Sequence, residues 1–337
     1  MTHIGGRRGR FNPRPAPHPL RRLARRAIQN AFRPRCILMY HAVVPDGTRP
    51  RLWSQVEIST FEAQIRYLAR TRPVVRARQM ADPASPETLP PGCVAVTFDD
   101  GYQNNLDLAL PVLERHGVSA TVFVTAGLVG SKALLWPDQV YERWLGTGED
   151  EGTGLAEAYA FVRYLKTLPD ARRQEVLARK LSRRGGVPVA GQDHPRRLLD
   201  RVSLKRLADS PWIEVGSHGL THALLTRVPP DRAREELCAS RRLLQHLIGQ
   251  PVDLVAYPDG AWNGAIAAMA RAAGYRAGFT TRFERIRSGF DPLAIPRYPV
   301  GGDLDRRAFA QLLAGLLEVR ARVRGSFPRI LCHQGDR

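Results

Sequence analysis

The sequence predicts an α/β protein, a distorted (β/α) barrel with fewer than eight strands. Two patterns and the chain length carry that expectation. Short apolar runs such as Cys36–Tyr40, Val94–Phe98 and Ser119–Val124 alternate with helical patterns, an order that favours parallel pairing. Chemistry-bearing residues then follow the runs at once: His41, Asp99-Asp100-Gly101, and Ser217-His218-Gly219-Leu220-Thr221-His222. Barrel folds place their sites at the C-terminal ends of strands. The length of 337 residues suits such a barrel carrying an insertion.

Residues 1–18 are rich in glycine and proline and predict disorder. Residues 20–32 space Leu20, Leu23, Ala24, Ala27, Ile28 and Ala31 as a short basic amphipathic helix. The first strand is Cys36–Tyr40. Thr60–Leu68 reads as a helix capped by Thr60, with Phe61, Ile65 and Leu68 on one face. After the strand at Val94–Phe98 comes a helix near Asn105–His116, closed by Gly117. Residues 131–205 interrupt the rhythm, with helices expected at Leu155–Leu168 and Arg172–Leu181. They predict a mostly helical insertion between the two motifs. The barrel resumes at Trp212–Val215, Val252–Tyr257, Ala277–Thr281 and Leu293–Arg297, and a last helix spans Asp305–Val319. The expected organisation is a basic tail over 1–35, the barrel over 36–304 and a C-terminal helix and tail over 305–337.

Hydrophobic content of 43% and charged content of 25% are those of a globular protein. The net charge of +19 is unusual. Ten arginines from Arg7 to Arg35 have no acidic residue among them. Two readings stand open: a solvated basic tail, and peripheral contact of residues 7–35 with an anionic membrane. Nucleic acid ranks behind both. Cys36, Cys93, Cys238 and Cys332 form no C-x-x-C pair, which favours free thiols and a reducing compartment. No apolar run approaches the ~18 residues of a membrane span, and no apolar core follows the basic N-terminus as in a secretory signal. The expectation is a cytoplasmic protein, with the inner membrane face left open.

One carboxylate and two imidazoles four residues apart can hold a divalent metal and leave positions for water. A second carboxylate beside them is then free to act as a base. Zinc is the default ion for such a set, and iron, cobalt or nickel also suit it. Asp99 and Asp100 would point to different sides if the strand persisted through them.

Thr97-Phe98-Asp99-Asp100-Gly101 followed by His218-x-x-x-His222 resembles the polysaccharide deacetylase family (the NodB-homology domain, carbohydrate esterase family 4), over about Cys36 to Val300. The resemblance implies Asp99 as base and Asp100, His218 and His222 as metal ligands. It also implies an oxyanion donor at the main-chain N–H of Asp259, in Tyr257-Pro258-Asp259-Gly260. Two positions depart from the family pattern. Ala256 stands where the family has an arginine that orients the base, and Asp259 stands where it has a tyrosine. Arg297, in Ile295-Pro296-Arg297-Tyr298, is a candidate replacement. For the general acid, His41 in Tyr40-His41-Ala42-Val43 resembles the rearranged branch of biofilm poly-N-acetylglucosamine deacetylases. His333 in Leu331-Cys332-His333 is the alternative. Trp53, Trp136, Tyr257 and Trp262 are candidates to line a sugar groove, Trp262 foremost, against the plainer reading that aromatics pack in cores. The implied reaction removes N-acetyl groups from amino sugars of a polysaccharide or lipid-linked glycan. O-deacetylation of glycans, or an inactive carbohydrate-binding member of the fold, are the alternatives.

Overall fold

The computed structural model describes residues 34–49, 52–82, 88–145, 151–287 and 289–319. The expected basic helix at 20–32 and His333 lie outside them. The strands in chain order are β1 (Cys36–Tyr40), β2 (Ala42–Val44), β3 (Gln55–Glu57), β4 (Val94–Phe98), β5 (Ala120–Val124), β6 (Ile213–Ser217), β7 (Leu254–Ala256), β8 (Ala277–Phe279) and β9 (Tyr298–Pro299). Seven of them form one curled parallel sheet in the order β8-β7-β6-β5-β4-β1-β9, a distorted barrel with fewer than eight strands. β2 and β3 pair separately, immediately beyond His41.

The segment 295–300 bonds to both edges of the sheet. Ile295 donates to the Gly278 carbonyl and accepts from the Thr280 N–H on the β8 side. Tyr298 and Pro299 pair with Leu38 and Met39 on the β1 side. Arg297 sits between these two sets of bonds.

Alternation along the strands sorts the side chains into two layers. Ile37, Ala95, Phe123, Ala256, Ala277, Phe279 and Ile295 fill the interior. Leu38, Val96, Phe98, Val122, Val215 and Val255 face outward. That outer layer is covered by α1 (Ile58–Thr71), α3 (Leu110–His116), α7 (Arg201–Asp209), α8 (Pro230–Ile248) and α9 (Gly264–Ala272). The interior is tight. A Cβ on Gly216 would stand 2.4 Å from the Phe123 ring, so Gly216→Ala overpacks the barrel by about 1–3 kcal/mol. Short helix α2 (Ala77–Ala81) packs Ala77, Met80 and Ala81 against the end of the barrel where the strands begin.

Some elements differ from expectation. α1 begins at Ile58 because β3 runs straight into it. Thr60 is therefore inside the helix, and the N-cap is Glu57, without a side-chain cap bond. The helix expected over 105–116 starts as a π-helical turn, Asn105–Ala109, before α3. Pro111 has no N–H to return to Asp107, so the tighter α-helical bond cannot form there. The last helix is interrupted: α10 (Arg306–Leu313) ends in a turn at Gly315, whose φ is +71°, and helical residues resume over 316–319.

The insertion is helical: α4 (Trp136–Leu145), α5 (Glu151–Thr167) and α6 (Asp170–Ser182). It has a core of its own, from Val140, Trp144, Ala158, Val162, Leu165 and Leu177. Residues 201–205 do not share it. They open α7, whose Leu204 and Leu207 pack on the barrel. Among the described residues no helix is long and apolar enough to cross a membrane.

Candidate active site

β4 ends at Phe98, and the Asp99 N–H donates to the carbonyl of Tyr40 on β1. Asp99 is therefore held at the strand end, facing into the barrel mouth. Arg297 reaches it from the closing segment, with Nη1 and Nη2 each 2.7 Å from one carboxylate oxygen. The guanidinium also donates to Thr97 Oγ1 at 3.2 Å and, through Nε, to the Thr280 carbonyl at 3.0 Å. It lies over the faces of Phe123 and Phe279. Arg297 is fully buried and Asp99 is 2% exposed. Burial alone would push the Asp99 carboxyl up; the Arg297 charge leads the effects that outweigh it and hold the group below its ordinary value.

Asp100 does not continue the strand. Its φ is +79°, so the backbone turns and the opposite-faces geometry expected of an extended Asp-Asp pair does not arise. The turn brings Asp100 Oδ1 to 3.4 Å from both His218 Nε2 and His222 Nε2. His218 follows β6 directly, and its Nδ1 lies 2.9 Å from the Ala256 carbonyl. Donation from Nδ1 to that carbonyl fixes the tautomer and leaves Nε2 as a free lone pair. Ala256, where the family has arginine, thus contributes its backbone. His222 has a φ of +60°. Its loop is held by buried Glu236 on α8, whose carboxylate accepts from the N–H groups of Leu220 and Thr221 and from the Thr221 hydroxyl. The Trp136 indole donates to the His222 carbonyl.

Asp100, His218 and His222 are the one group of His, Cys, Asp or Glu among the described residues whose ligand atoms converge, all within 4.8 Å of one another. All three are buried. Burial pushes His222 down, toward the neutral form a ligand needs; at His218 burial acts the same way but the Asp99 and Asp100 carboxylates outweigh it and raise the imidazole. Its Nδ1 is buried without a hydrogen-bond partner. Two nitrogens and one oxygen aimed at a shared point fit a divalent cation of the zinc, iron, cobalt or nickel type.

The cluster lies in a cavity that opens to solvent. Barrel residues His41, Asp99, Asp100, Asp259 and Thr281 line one side. Insertion residues Trp136, Asp138, Tyr141, Val162 and Lys166 line the other. His41 breaks the chain between β1 and β2, and its ring meets Trp53 edge-on with centroids 5.0 Å apart. Its Nδ1 is buried without a partner, and burial pushes the imidazole down. Asp259, with a φ of +56°, pairs with Lys166 at 2.5 Å.

Two residues expected at the substrate lie elsewhere. Tyr257 faces outward from the barrel and is fully buried, its hydroxyl donating to the Leu293 carbonyl. Trp262 is partly buried on the outer layer beneath Arg282 and does not line the cavity. Four residues at the site were not foreseen. Asp138 accepts from the Tyr102 hydroxyl at 2.8 Å and faces Arg196, and burial pushes its carboxyl up to about 7. Glu236 and Tyr102 carry no motif. Lys166 had one signal: it is one of four lysines in an arginine-rich chain.

Comparison with known proteins fits this geometry. The model of the family described as polysaccharide deacetylase matches residues 87–278. YxkH of Bacillus subtilis (strain 168), named for polysaccharide deacetylase, is 22% identical over 250 residues, covering 73% of this chain. The match spans 63% of YxkH. Among solved structures, the Streptococcus pyogenes deacetylase PplD superposes with a TM-score of 0.58 at 18% identity, over 83% of this chain and 98% of that one. IcaB from Ammonifex degensii gives 0.57 at 20% identity, over 84% and 96%. These structures share the fold. His41 and Arg297 lie outside the family match, whereas both motifs lie within it. With that match running over more than half of its length, the chain belongs to the polysaccharide deacetylase family.

Proposed function

We propose that this chain is a metal-dependent hydrolase that removes N-acetyl groups from amino sugars of a polysaccharide or lipid-linked glycan. The observation that carries the reading is the convergence of Asp100, His218 and His222 beside a second carboxylate clamped by arginine. When bound, a divalent ion at those three residues polarises an acyl carbonyl and acidifies water.

The remaining roles belong to the protein. Asp99 takes the proton of the attacking water. The two bonds from Arg297 use two of its roughly four lone-pair sites, leaving others to accept from water. They also keep the carboxylate ionised and fixed in direction. Asp259 offers its main-chain N–H to the oxyanion from a turn already bent toward the cavity. His41 gives its proton to the departing nitrogen; an amine leaves poorly without one. PplD is described in complex with acetate, which is the product this reaction releases.

The test is acetate release with mass mapping, using metal-loaded protein and matched N-acetylated and O-acetylated oligosaccharides. The reading expects acetate and a free amine from the amide substrates. Release from esters alone would replace it with an O-acetyl esterase. Binding of both without release would replace it with a carbohydrate-binding protein.

A further inference from the structure

Helix α5 of the insertion crosses the mouth of the cavity and is tied down at both rims. On one rim the Trp53 N–H donates to the Tyr159 hydroxyl at 3.0 Å. On the other, Lys166 Nζ meets Asp259 Oδ1 at 2.5 Å. Trp53 follows β2, beyond the end of β1. Asp259 follows β7, and in the sheet order β6, β5 and β4 stand between β7 and β1. The anchors are therefore on opposite sides of the barrel mouth. Tyr159 and Lys166 are seven residues apart, which is two helical turns, so both project from one face about 10 Å apart along the axis. Val162 lies between them on that face and lines the cavity.

Packing supports the same span. The insertion core that buries Val162 and Leu165 also takes in Leu52, Leu224 and Ala261. These come from three separate rim loops: before β3, after His222 and after Asp259. A glycan running through an open groove must leave it on two sides. Here one helix bridges the rim from Trp53 to Asp259, with side chains bonded at each end.

We propose that α5 is a strap that turns the site into a pocket for the terminal sugar of a glycan and excludes internal residues of a long chain. The inference rests on the deacetylase reading above. Its substrate class is an N-acetylated amino sugar presented at a chain end, and Tyr159 and Lys166 are specificity-determining residues through the anchors they hold.

The experiment uses the full chain loaded with zinc. The probes are β-linked N-acetylglucosamine oligomers from dimer to hexamer, labelled at the reducing end. Tandem mass spectrometry locates each lost acetyl group. A second set has its non-reducing terminal residue already deacetylated. The strap predicts loss confined to the terminal residue at every length. It predicts no turnover and no calorimetric binding of the end-deacetylated set. In the double variant Tyr159→Phe/Lys166→Met, internal loss should appear and the ratio of internal to terminal product should rise. Internal deacetylation by the wild-type protein would overturn the strap and leave the deacetylase reading standing. Loss of acetyl from no position, in a protein shown to hold zinc, would overturn both. Should the double variant fail to fold, the wild-type map and the end-deacetylated set still decide the matter.

Discussion

The barrel interior holds two carboxylate–arginine pairs, one at each end, and they are built differently. At the mouth, Arg297 clamps Asp99, and both are buried. At the opposite end Arg78 pairs with Glu214, which also accepts from Thr121 Oγ1. There the arginine side chain is 49% exposed while its carboxylate partner is buried. No converging ligands accompany the second pair among the described residues. The backbone differs too. Asp100, His222 and Asp259 are the three non-glycine residues with positive φ among the described residues, and all three line the mouth. Each such conformation costs on the order of 1–3 kcal/mol. A polar barrel interior is thus not enough to mark a site. Backbone strain, unpartnered imidazole nitrogens and a second carboxylate beside the first distinguish the mouth from the base.

The largest expected effect breaks the mouth alone. In His218→Ala/His222→Ala, bound metal and acetate release should both vanish, measured by elemental analysis and product assay. Full metal occupancy in that variant would refute the ligand assignment. Next comes a paired comparison. Arg297→Met leaves a buried carboxylate unpaired and should lose about 3–5 kcal/mol of stability in denaturant titration, together with most activity. Arg78→Met leaves the buried Glu214 carboxylate with Thr121 Oγ1 as a remaining donor, and should lose less, about 1–3 kcal/mol, and keep its activity. Equal losses would erase the distinction between the two ends.

His41→Ala should lower turnover by roughly 10²–10⁴ with metal still bound. It should also remove the alkaline limb of the pH–rate profile, because a general acid acts only when protonated. A persistent limb would transfer the role to another group. The smallest effect concerns Asp138. Its folded carboxyl stands at about 7 against an ordinary 3.8, so its contribution to stability is present at low pH and is lost as pH rises through that window. The melting temperature of the wild-type protein should therefore fall further between about pH 5 and about pH 8 than that of Asp138→Asn. Parallel pH curves for the two would contradict the buried-acid account.

Much of this was legible in the sequence where chemistry sits next to a strand. Val94–Phe98 and Trp212–Val215 are short apolar runs, and the residues right after them form the cluster. Arg297 was readable as a substitute for the arginine missing at Ala256, because the segment carrying it had strand character. The walls were not legible. Lys166, Asp138 and Glu236 act across sequence gaps of 93, 36 and 16 residues, to Asp259, Tyr102 and Leu220. Such pairings depend on tertiary packing, which local periodicity does not encode. Tyr257 was misplaced for a related reason: one residue past β7 decides whether a side chain faces the mouth or the outer layer. The bend at Asp100 was hidden as well, since only the assembled cluster holds an aspartate in a left-handed turn.

The most direct test compares the two carboxylates at equal metal content, by the kcat of acetate release from an N-acetylated oligosaccharide. Asp99→Asn keeps shape and removes the base, and should cost roughly 10²–10⁴ in kcat with metal retained. Glu214→Gln at the other end should stay close to the wild-type rate. An active Asp99→Asn, or an equally inactive Glu214→Gln, would contradict the account.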